Sequence, residues 1–137
     1  MTPLWSGVVH GEAASKANSR KMVINPKTRK PMFIKSEKAL NWMQCAGYCL
    51  QSIKPRELIT VKLAAVITLY YATERPDTDP SLVFDALQEF GIIKNDRQIR
   101  DHMIFHAIDK ASPRVDIALY ERDSVRFVVE PILAQPF

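Results

Sequence analysis

A proline-bracketed acidic segment, Arg75-Pro76-Asp77-Thr78-Asp79-Pro80, constrains the fold of this chain more than any other stretch. Residues that precede proline are held extended, so Asp77 and Asp79 are predicted to leave the same face of the chain, roughly 7 Å apart. Pro80 suits the first position of a helix, and Gly91 suits its end. The segment therefore predicts a strand end followed by an amphipathic helix.

The predicted helix leads into an acidic turn, Lys94-Asn95-Asp96-Arg97. A helix of about eleven residues spans roughly 16 Å, and a short return from its far end is expected to bring Asp96 beside Asp77 and Asp79. Each piece also has a purely structural interpretation, because Asp79 before a proline is an ordinary helix N-cap and the turn is an ordinary turn. The core face of this helix is predicted to consist of Leu82, Val83, Ala86, Leu87 and Phe90.

Three motifs occur in order along this region: Arg75-Pro76-Asp77-Thr78-Asp79, then Phe84-Asp85-Ala86-Leu87, then Gly91-Ile92-Ile93-Lys94-Asn95-Asp96-Arg97-Gln98-Ile99. This run resembles the core of the RusA-type Holliday-junction resolvases, which are phage and prophage endonucleases. Those proteins share a D-x-D motif, a following D-A-L helix and an acidic turn before a strand. The resemblance extends more weakly from about Ser15 to Glu121.

The resemblance implies a metal-dependent endodeoxyribonuclease in which Asp77, Asp79 and Asp96 are catalytic and hold one or two Mg²⁺ ions, with Mn²⁺ also suitable. Asp85 lies four residues after Ser81 on the same predicted helix face and is a further candidate ligand. A solvated helix residue is an equally good interpretation of Asp85. Such a metal activates a water and stabilises the departing 3′ oxygen.

The chain departs from the family pattern in two places. Pro80 stands where the family usually has asparagine, and the helix contains no lysine where the family has one. The interval from D-x-D to D-A-L is also slightly short, so a gapped match keeps Asp77 and Asp79 as the acidic pair. An ungapped match instead aligns Asp77 with the family's second aspartate and Arg75 with its first.

These departures keep two further interpretations open. One is a non-catalytic protein that binds branched or single-stranded DNA through a degenerate acidic site. The other is a structural or regulatory phage-type protein that contacts DNA or a partner incidentally. The missing lysine leaves Lys94, Arg75 and Arg97 as the nearest candidates for stabilising charge on a phosphate.

Positive charge is concentrated near the N-terminus. The chain has 19 basic and 15 acidic residues, and the stretch from Ala13 to Ser36 contains seven basic residues and no acidic one. The remainder has 19 − 7 = 12 basic against 15 acidic residues, a net charge of −3. Such a footprint favours a polyanionic partner, here branched DNA. The candidate DNA contacts are Ser15, Lys16, Asn18, Arg20, Lys21, Lys27, Arg29, Lys30, Arg75, Lys94 and Arg97.

Along the chain, the pattern first predicts a strand at 4–10 and a basic-tipped hairpin of 22–24 and 32–34. A helix is predicted after Ser36 to about Ser52. One long strand is predicted from Glu57 to Thr73, with a bend near Ala64-Ala65. Two strands follow the acidic helix, at 97–108 and 115–121. The fold class is α+β, with a mixed or antiparallel sheet of about five strands and two helices. We expect one domain over 1–137, with a basic loop and hairpin at 11–35, the acidic site at 75–97 and an unmatched apolar tail at 122–137.

Paired incision of a four-way junction needs two acidic sites, and the resemblance implies a homodimer. Trp42 and Tyr48 lie off the predicted core stripe of the first helix and are the preferred interface residues, with the apolar tail as the alternative. That core stripe is predicted to consist of Leu40, Met43, Ala46, Gly47, Leu50 and Ile53.

Two cysteines, Cys45 and Cys49, lie four residues apart on the same helix, which favours buried thiols over a disulfide. A zinc site could be composed from them with His102 and His106, but the long interval between the pairs disfavours it. No apolar run is long enough to span a bilayer, and the start of the chain lacks a secretory signal. We therefore expect no membrane partner and a location in the cytosol of a bacterium or phage-infected host.

Overall fold

A computed structural model describes residues 2–14, 20–74, 76 and 79–125. The chain forms β1 (Trp5–His10), β2 (Arg20–Ile24), β3 (Pro31–Lys35), α1 (Glu37–Ser52), β4 (Leu63–Tyr71), α2 (Ser81–Glu89), β5 (Ile99–Ile108) and β6 (Arg114–Glu121), with short 3₁₀ turns at Asp96–Gln98 and Arg122–Ser124. The predicted α+β fold with two helices is confirmed. Most of the tail lies outside the described residues, and so do Ser15, Lys16, Asn18, Arg75 and Asp77.

Four strands form a mixed sheet in the order β1-β6-β4-β5, and the hairpin β2-β3 is a separate two-stranded sheet. Strands β4 and β5 are parallel and are joined through α2, whereas the other neighbours are antiparallel. We call the end of the sheet where β4 and β5 finish, at Tyr71 and Ile108, the loop end. The opposite end, where they begin at Leu63 and Ile99, is the turn end.

The core lies between one face of the main sheet and the two helices. Alternate residues of β4 are fully buried on this side, as expected for a central strand. The buried residues of the two helices are Ala39, Trp42, Met43, Ala46, Gly47, Leu50, Leu82, Val83, Ala86 and Leu87. A methyl group on Gly47 would come within 2.9 Å of the Phe90 ring, so this glycine permits the close approach of α1 to the chain that follows α2.

The predicted interior stripe of α1 is wrong at two positions and misses a third. Leu40 and Ile53 are 54% and 41% exposed, whereas Trp42 is only 4% exposed and is therefore not an interface residue. The buried side chains recur at helical spacing around the large indole, so burial of Trp42 turns Leu40 towards solvent. The predicted N-cap is confirmed, since Ser36 Oγ accepts a hydrogen bond from the Ala39 amide at 3.2 Å.

The predicted long strand is shorter than expected. It begins at Leu63, and upstream of it Ile59 makes only an isolated parallel bridge with Ile93. The register between β4 and β5 shifts between Leu63 and Ala64, which is where a bend was predicted. Residues before Leu63 turn aside because their backbone groups bond to the segment around Ile93 instead of continuing the β4 ladder.

The basic hairpin has the predicted turn chemistry. Asn25 Oδ1 accepts a hydrogen bond from the Lys27 amide at 2.9 Å, and Asn25 O accepts one from the Arg29 amide at 2.7 Å. Arg29 takes a positive φ of 56°, which lets the chain reverse over this short loop. Among the described residues, neither helix is long and apolar enough to cross a membrane.

Candidate functional site

The start of α2 is organised by Asp79. Its Oδ1 accepts hydrogen bonds from the Ser81 amide at 3.0 Å and from Ser81 Oγ at 2.7 Å. Pro80 occupies the N-cap position, one residue before the first helical position predicted for it, and has no side-chain cap of its own. Asp79 therefore performs the capping that its position predicted, which shows that its structural interpretation is sound and leaves its second oxygen available.

The far end of α2 is closed by Gly91, whose φ of 76° suits only a residue without a side chain. The turn that follows is held by amide side chains. Gln98 Oε1 accepts from the Asn95 amide at 2.8 Å, and Gln98 Nε2 donates to the carbonyl oxygens of Ile59 and Val61, both at 2.9 Å. The Asp96 amide donates to Gln88 Oε1 at 2.9 Å, while the Asp96 side chain is exposed.

One solvent-exposed face of α2 carries a line of polar residues. Ser81, Asp85 and Gln88 are exposed and follow one another at helical spacing, so their side chains leave the same side. Asp79 is bonded to the first of them and Asp96 to the last. We call Asp79, Asp85 and Asp96 the acidic face of α2. The predicted placement of Asp85 on the Ser81 side of the helix is consistent with this arrangement.

Asp79 is bonded to Ser81 at the start of α2, whereas the Asp96 amide is bonded to Gln88 near its end. Ser81 and Gln88 are separated by about 10 Å of helix rise. Oxygen ligands of one Mg²⁺ lie within about 4 Å of one another, since each is about 2.1 Å from the ion. Consistent with this spread, no three His, Cys, Asp or Glu side chains in the described ranges are close enough to hold a metal. The metal-binding roles of Asp77, Asp79, Asp85 and Asp96 stay predictions.

Candidate DNA-contacting cations are exposed. Lys27, Arg29 and Lys30 are exposed at the hairpin tip, and Lys94 and Arg97 flank Asp96. Lys21 is also exposed on β2, whereas only the backbone of Arg20 is described. Ion pairs among the described residues use other cations: Lys38, Arg114 and Arg122. Lys21, Lys27, Arg29, Lys30, Lys94 and Arg97 therefore form no ion pair with a carboxylate of the described residues.

Contacts at the loop end join the start of α1, which follows the hairpin, to the connection that leads to Asp79. Strand β3 leads through Ser36 into α1, where Lys38 Nζ lies 3.7 Å from Glu12 Oε2. The other oxygen of Glu12 accepts a hydrogen bond from the Ala72 amide at 2.7 Å. Ala72 starts the connection that leads to Asp79, so the basic hairpin and the acidic segment leave the same part of the molecule.

A second charged cluster at the loop end closes the turn between β5 and β6. Arg114 Nη1 donates to Asp109 Oδ2 at 2.8 Å, and Arg114 Nε lies 3.2 Å from Asp116 Oδ1. The guanidinium also lies 3.8 Å above the ring centre of Tyr70. The hydrogen bond from Arg114 lowers the pKa of the Asp109 carboxyl. This cluster fixes the turn and is separate from the acidic face.

The alternative zinc site does not form among the described residues. His106 stacks on Tyr71 with ring centres 5.3 Å apart, and His102 meets the edge of Phe84 at 5.4 Å. Both cysteines are free thiols; Cys49 is half-buried, but Cys45 is exposed, contrary to the expected burial. These side chains therefore serve packing.

Sequence reasoning missed the two glutamines that hold the turn. Asn95 and Gln98 form a reciprocal capping box, in which the side chain of each residue accepts a hydrogen bond from a backbone amide at the other end of the turn. The sequence signal was present, since an N-cap residue followed three positions later by Gln or Glu is the signature of such a box. Gln88, by contrast, is distant in sequence from its partner and carries no such local signal.

The sequence model of one protein family, described as "Endodeoxyribonuclease RusA", matches residues 12–120. The match includes the hairpin, both helices, the acidic face and three strands of the main sheet, β4, β5 and nearly all of β6, whereas β1 precedes it. No curated protein matches the chain at a significant level. The family match confirms the resemblance drawn from the acidic motifs.

Proposed function

Because the chain belongs to the RusA endodeoxyribonuclease family, we propose that it is a Mg²⁺-dependent endonuclease that cuts Holliday junctions or other branched DNA. The family supplies the nuclease class. The observation that carries the proposal is the acidic face of α2: Asp85 is exposed on the helix, Asp79 is bonded to Ser81 at its start, and the amide of the exposed Asp96 is bonded to Gln88 near its end. Exposed cations of the hairpin and of the acidic turn provide the complementary surface for phosphates.

The donor set fits a hard divalent cation, because Asp79, Asp85 and Asp96 offer only carboxylate oxygens and the latter two are exposed. We propose that Asp77 joins them as a ligand. When bound, the cation supplies Lewis acidity that activates a water and stabilises the departing 3′ oxygen. Lys94 and Arg97 stand beside Asp96 and take the part of the lysine that this helix lacks, by neutralising charge on the phosphate.

The separation of Asp79 from Asp96 supports a site shared between two copies. About 10 Å of helix divides them in one chain. In a two-fold pair with the α2 helices antiparallel, Asp79 of one copy would face the partner's Asp96, and symmetry would make two such sites. Two sites also meet the need for paired cuts in opposing strands. Of the two interface residues predicted on α1, Trp42 is buried in the core, and Tyr48 is 73% exposed and stays a candidate.

The first prediction concerns cleavage. Wild-type protein should nick a synthetic four-way junction in Mg²⁺, fail to do so in chelator, and leave linear duplex of the same length intact. Asp77→Asn and Asp96→Asn should each slow cleavage by about 10³-fold, since metal stabilisation is worth several kcal/mol. Junction binding should persist, because a repulsive charge is removed. Asp123→Asn changes an exposed aspartate outside this face and is the matched control.

A mixing experiment extends this test. Equimolar Asp79→Asn and Asp96→Asn proteins, each inactive alone, form mixed pairs in which one shared site keeps both aspartates. Recovered nicking, limited to one strand of each junction, is expected. A mixture as inactive as its parents contradicts the shared site. If Asp79→Asn alone cuts normally, the ungapped alignment is correct, in which Asp77 matches the family's second aspartate. Rapid cutting by both Asp77→Asn and Asp96→Asn contradicts the metal site altogether.

A second candidate function is a branched-DNA or single-strand-DNA-binding protein that does not cut. The attachment of Asp79 and Asp96 to Ser81 and Gln88, at opposite ends of α2, favours it, because one ion needs its oxygen ligands within about 4 Å of one another. Junction-selective binding without nicking in either Mg²⁺ or Mn²⁺ would select this function.

A further inference from the structure

The outward face of the hairpin exposes large apolar side chains. In the antiparallel register, Met22 pairs directly with Phe33 and Ile24 pairs with Pro31, so these residues share one face of the ribbon. Met22, Ile24 and Phe33 are 61%, 62% and 70% exposed. On the opposite face, Val23 and Ile34 are half-buried, Met32 is 39% exposed and Lys21 is exposed. The ribbon therefore presents three large apolar side chains to solvent on one face, where such a cluster marks an interaction surface.

The surroundings of this cluster identify the chemistry of its partner. Lys21 is exposed on the same strand as Met22, and Lys27, Arg29 and Lys30 are exposed at the adjoining tip. No acidic residue occurs between Ala13 and Ser36. An apolar, aromatic patch with a purely cationic surround complements a ligand that has a flat apolar face and negative charge. An unstacked nucleobase on its phosphate backbone has both properties.

We propose that Phe33, placed opposite Met22, stacks on a nucleobase exposed at the branch point of DNA. This inference rests on the proposed function, because it names the feature of the branched substrate that the hairpin reads. Bases at a branch point present a face that is already free of its neighbour in the stack. In linear duplex the same contact requires a base step to be opened first, which costs free energy. The contact therefore favours junctions over duplex.

The position of Phe33 suits this role. A two-stranded ribbon is narrow enough to enter a groove or a junction opening. Phe33 is separated by one residue from Pro31, where β3 begins, so the ring sits close to the cationic tip. Phosphate contacts at the tip would fix the ribbon on the backbone while the ring meets the base. Aromatic stacking of this kind tolerates any base, so it selects shape and not sequence.

The test compares junction and duplex affinities, measured in chelator so that no strand is cut. Phe33→Ala should weaken junction binding by about 5- to 150-fold and change duplex binding by less than about twofold. The slope of affinity against salt should be unchanged, since no phosphate contact is lost. Phe33→Trp should bind as wild type, whereas Phe33→Leu, apolar but not flat, should resemble Phe33→Ala. Phe105→Ala removes an aromatic ring that is 46% exposed on β5, and it is the matched control.

Several outcomes overturn the proposal. An equal loss on junction and duplex, or an equal loss in Phe105→Ala, removes the selective role of Phe33. A fall in the mass of the free protein on Phe33→Ala, measured by sedimentation, makes the patch a contact between copies. Wild-type protein that binds junctions no better than duplex overturns both this inference and the proposed substrate. Junction preference that depends on Phe33 without any nicking upholds this inference while the proposed nuclease activity fails.

Discussion

The acidic turn at the turn end of the main sheet and the connections at the loop end are held by different chemistry. Neutral amides hold the acidic turn: Gln98 joins the Asn95 turn to the carbonyl groups of Ile59 and Val61, and Gln88 holds the Asp96 amide. One ion pair, between Arg122 and Asp101 at 3.0 Å, also lies at the turn end but does not touch this turn. At the loop end, charged groups make the contacts. Lys38 pairs with Glu12, and Arg114 pairs with Asp109 and Asp116.

The difference teaches how the two halves of the acidic face are positioned. Asp96 has its backbone fixed by neutral hydrogen bonds, which salt and pH do not weaken, while its carboxylate is left exposed. Asp79 is reached through a connection anchored by the charged Glu12 at Ala72 and is capped onto Ser81. Charged contacts are screened by salt and altered by protonation. We therefore expect the acidic turn at the turn end to be insensitive to salt and pH and the loop end to respond to them.

The largest expected effect in this comparison is on DNA binding at the loop end. Replacing Lys27, Arg29 and Lys30 together by Ala should weaken binding to every DNA shape. The slope of log K against log salt should fall by about 0.9 for each lost duplex phosphate contact, or about 2.7 for three. Titrations of junction and duplex over a range of salt measure both quantities.

The control for the hairpin replacement is a triple Ala variant of Lys54, Lys62 and Lys110, which are exposed lysines outside the hairpin. Its salt slope should remain that of the wild type. A hairpin variant with an unchanged slope shows that the tip is a solvated turn and removes nucleic-acid binding from the loop end. A hairpin variant that loses junction binding but keeps duplex binding would show that these cations, like Phe33, select junctions over duplex.

Much of the fold was predictable because local signals coincided with tertiary structure. Ser36 caps α1, Gly91 ends α2 in the left-handed conformation, and the Asn25 turn joins two strands whose register places like side chains on one face. In each case a single residue type satisfies a backbone requirement that any tertiary context would impose. These signals identified the elements and the α+β class.

The remaining features depend on contacts distant in sequence. The interior face of α1 rotates because Trp42 packs inward, which periodicity alone does not decide. Strand β4 starts at Leu63 because Ile59 pairs instead with Ile93, 34 positions further on. For the site, the acidic residues were identifiable by type, but their spread along α2 follows from the place where Gln88 holds Asp96.

The turn end is tested by Gln98→Ala. The variant leaves the Asn95 amide and the carbonyl groups of Ile59 and Val61 without their partner, which should cost about 1–3 kcal/mol in the free energy of unfolding. Denaturant titration measures this loss, and junction cleavage should fall with it because Asp96 is no longer positioned. Gln44→Ala, an exposed glutamine on α1, should change neither. A loss that varies with pH would contradict the neutral character of this end.

The smallest expected effect is that of Asp109→Asn at the loop end. Asparagine keeps the Oδ1 acceptor that takes hydrogen bonds from the Ala111 and Ser112 amides. It replaces Oδ2, which accepts from Arg114 Nη1, by an amide nitrogen, so the charge and the hydrogen bond that face Arg114 are both removed. Because the hydrogen bond from Arg114 lowers the pKa of Asp109, the carboxylate stabilises the fold above its ordinary pKa of 3.8. That contribution is lost as the pH falls through the lowered pKa in the folded protein.

The melting temperature of Asp109→Asn should therefore lie slightly below that of the wild type near neutral pH, and the gap should close as the pH falls below about 4. The pair is solvent-accessible, so the gap should also shrink in high salt. Thermal unfolding of both proteins across this pH range, beside Gln98→Ala, measures the contrast directly. A gap for Asp109→Asn that is constant in pH and salt, like the one expected for Gln98→Ala, would mean that the two ends are held by the same kind of interaction.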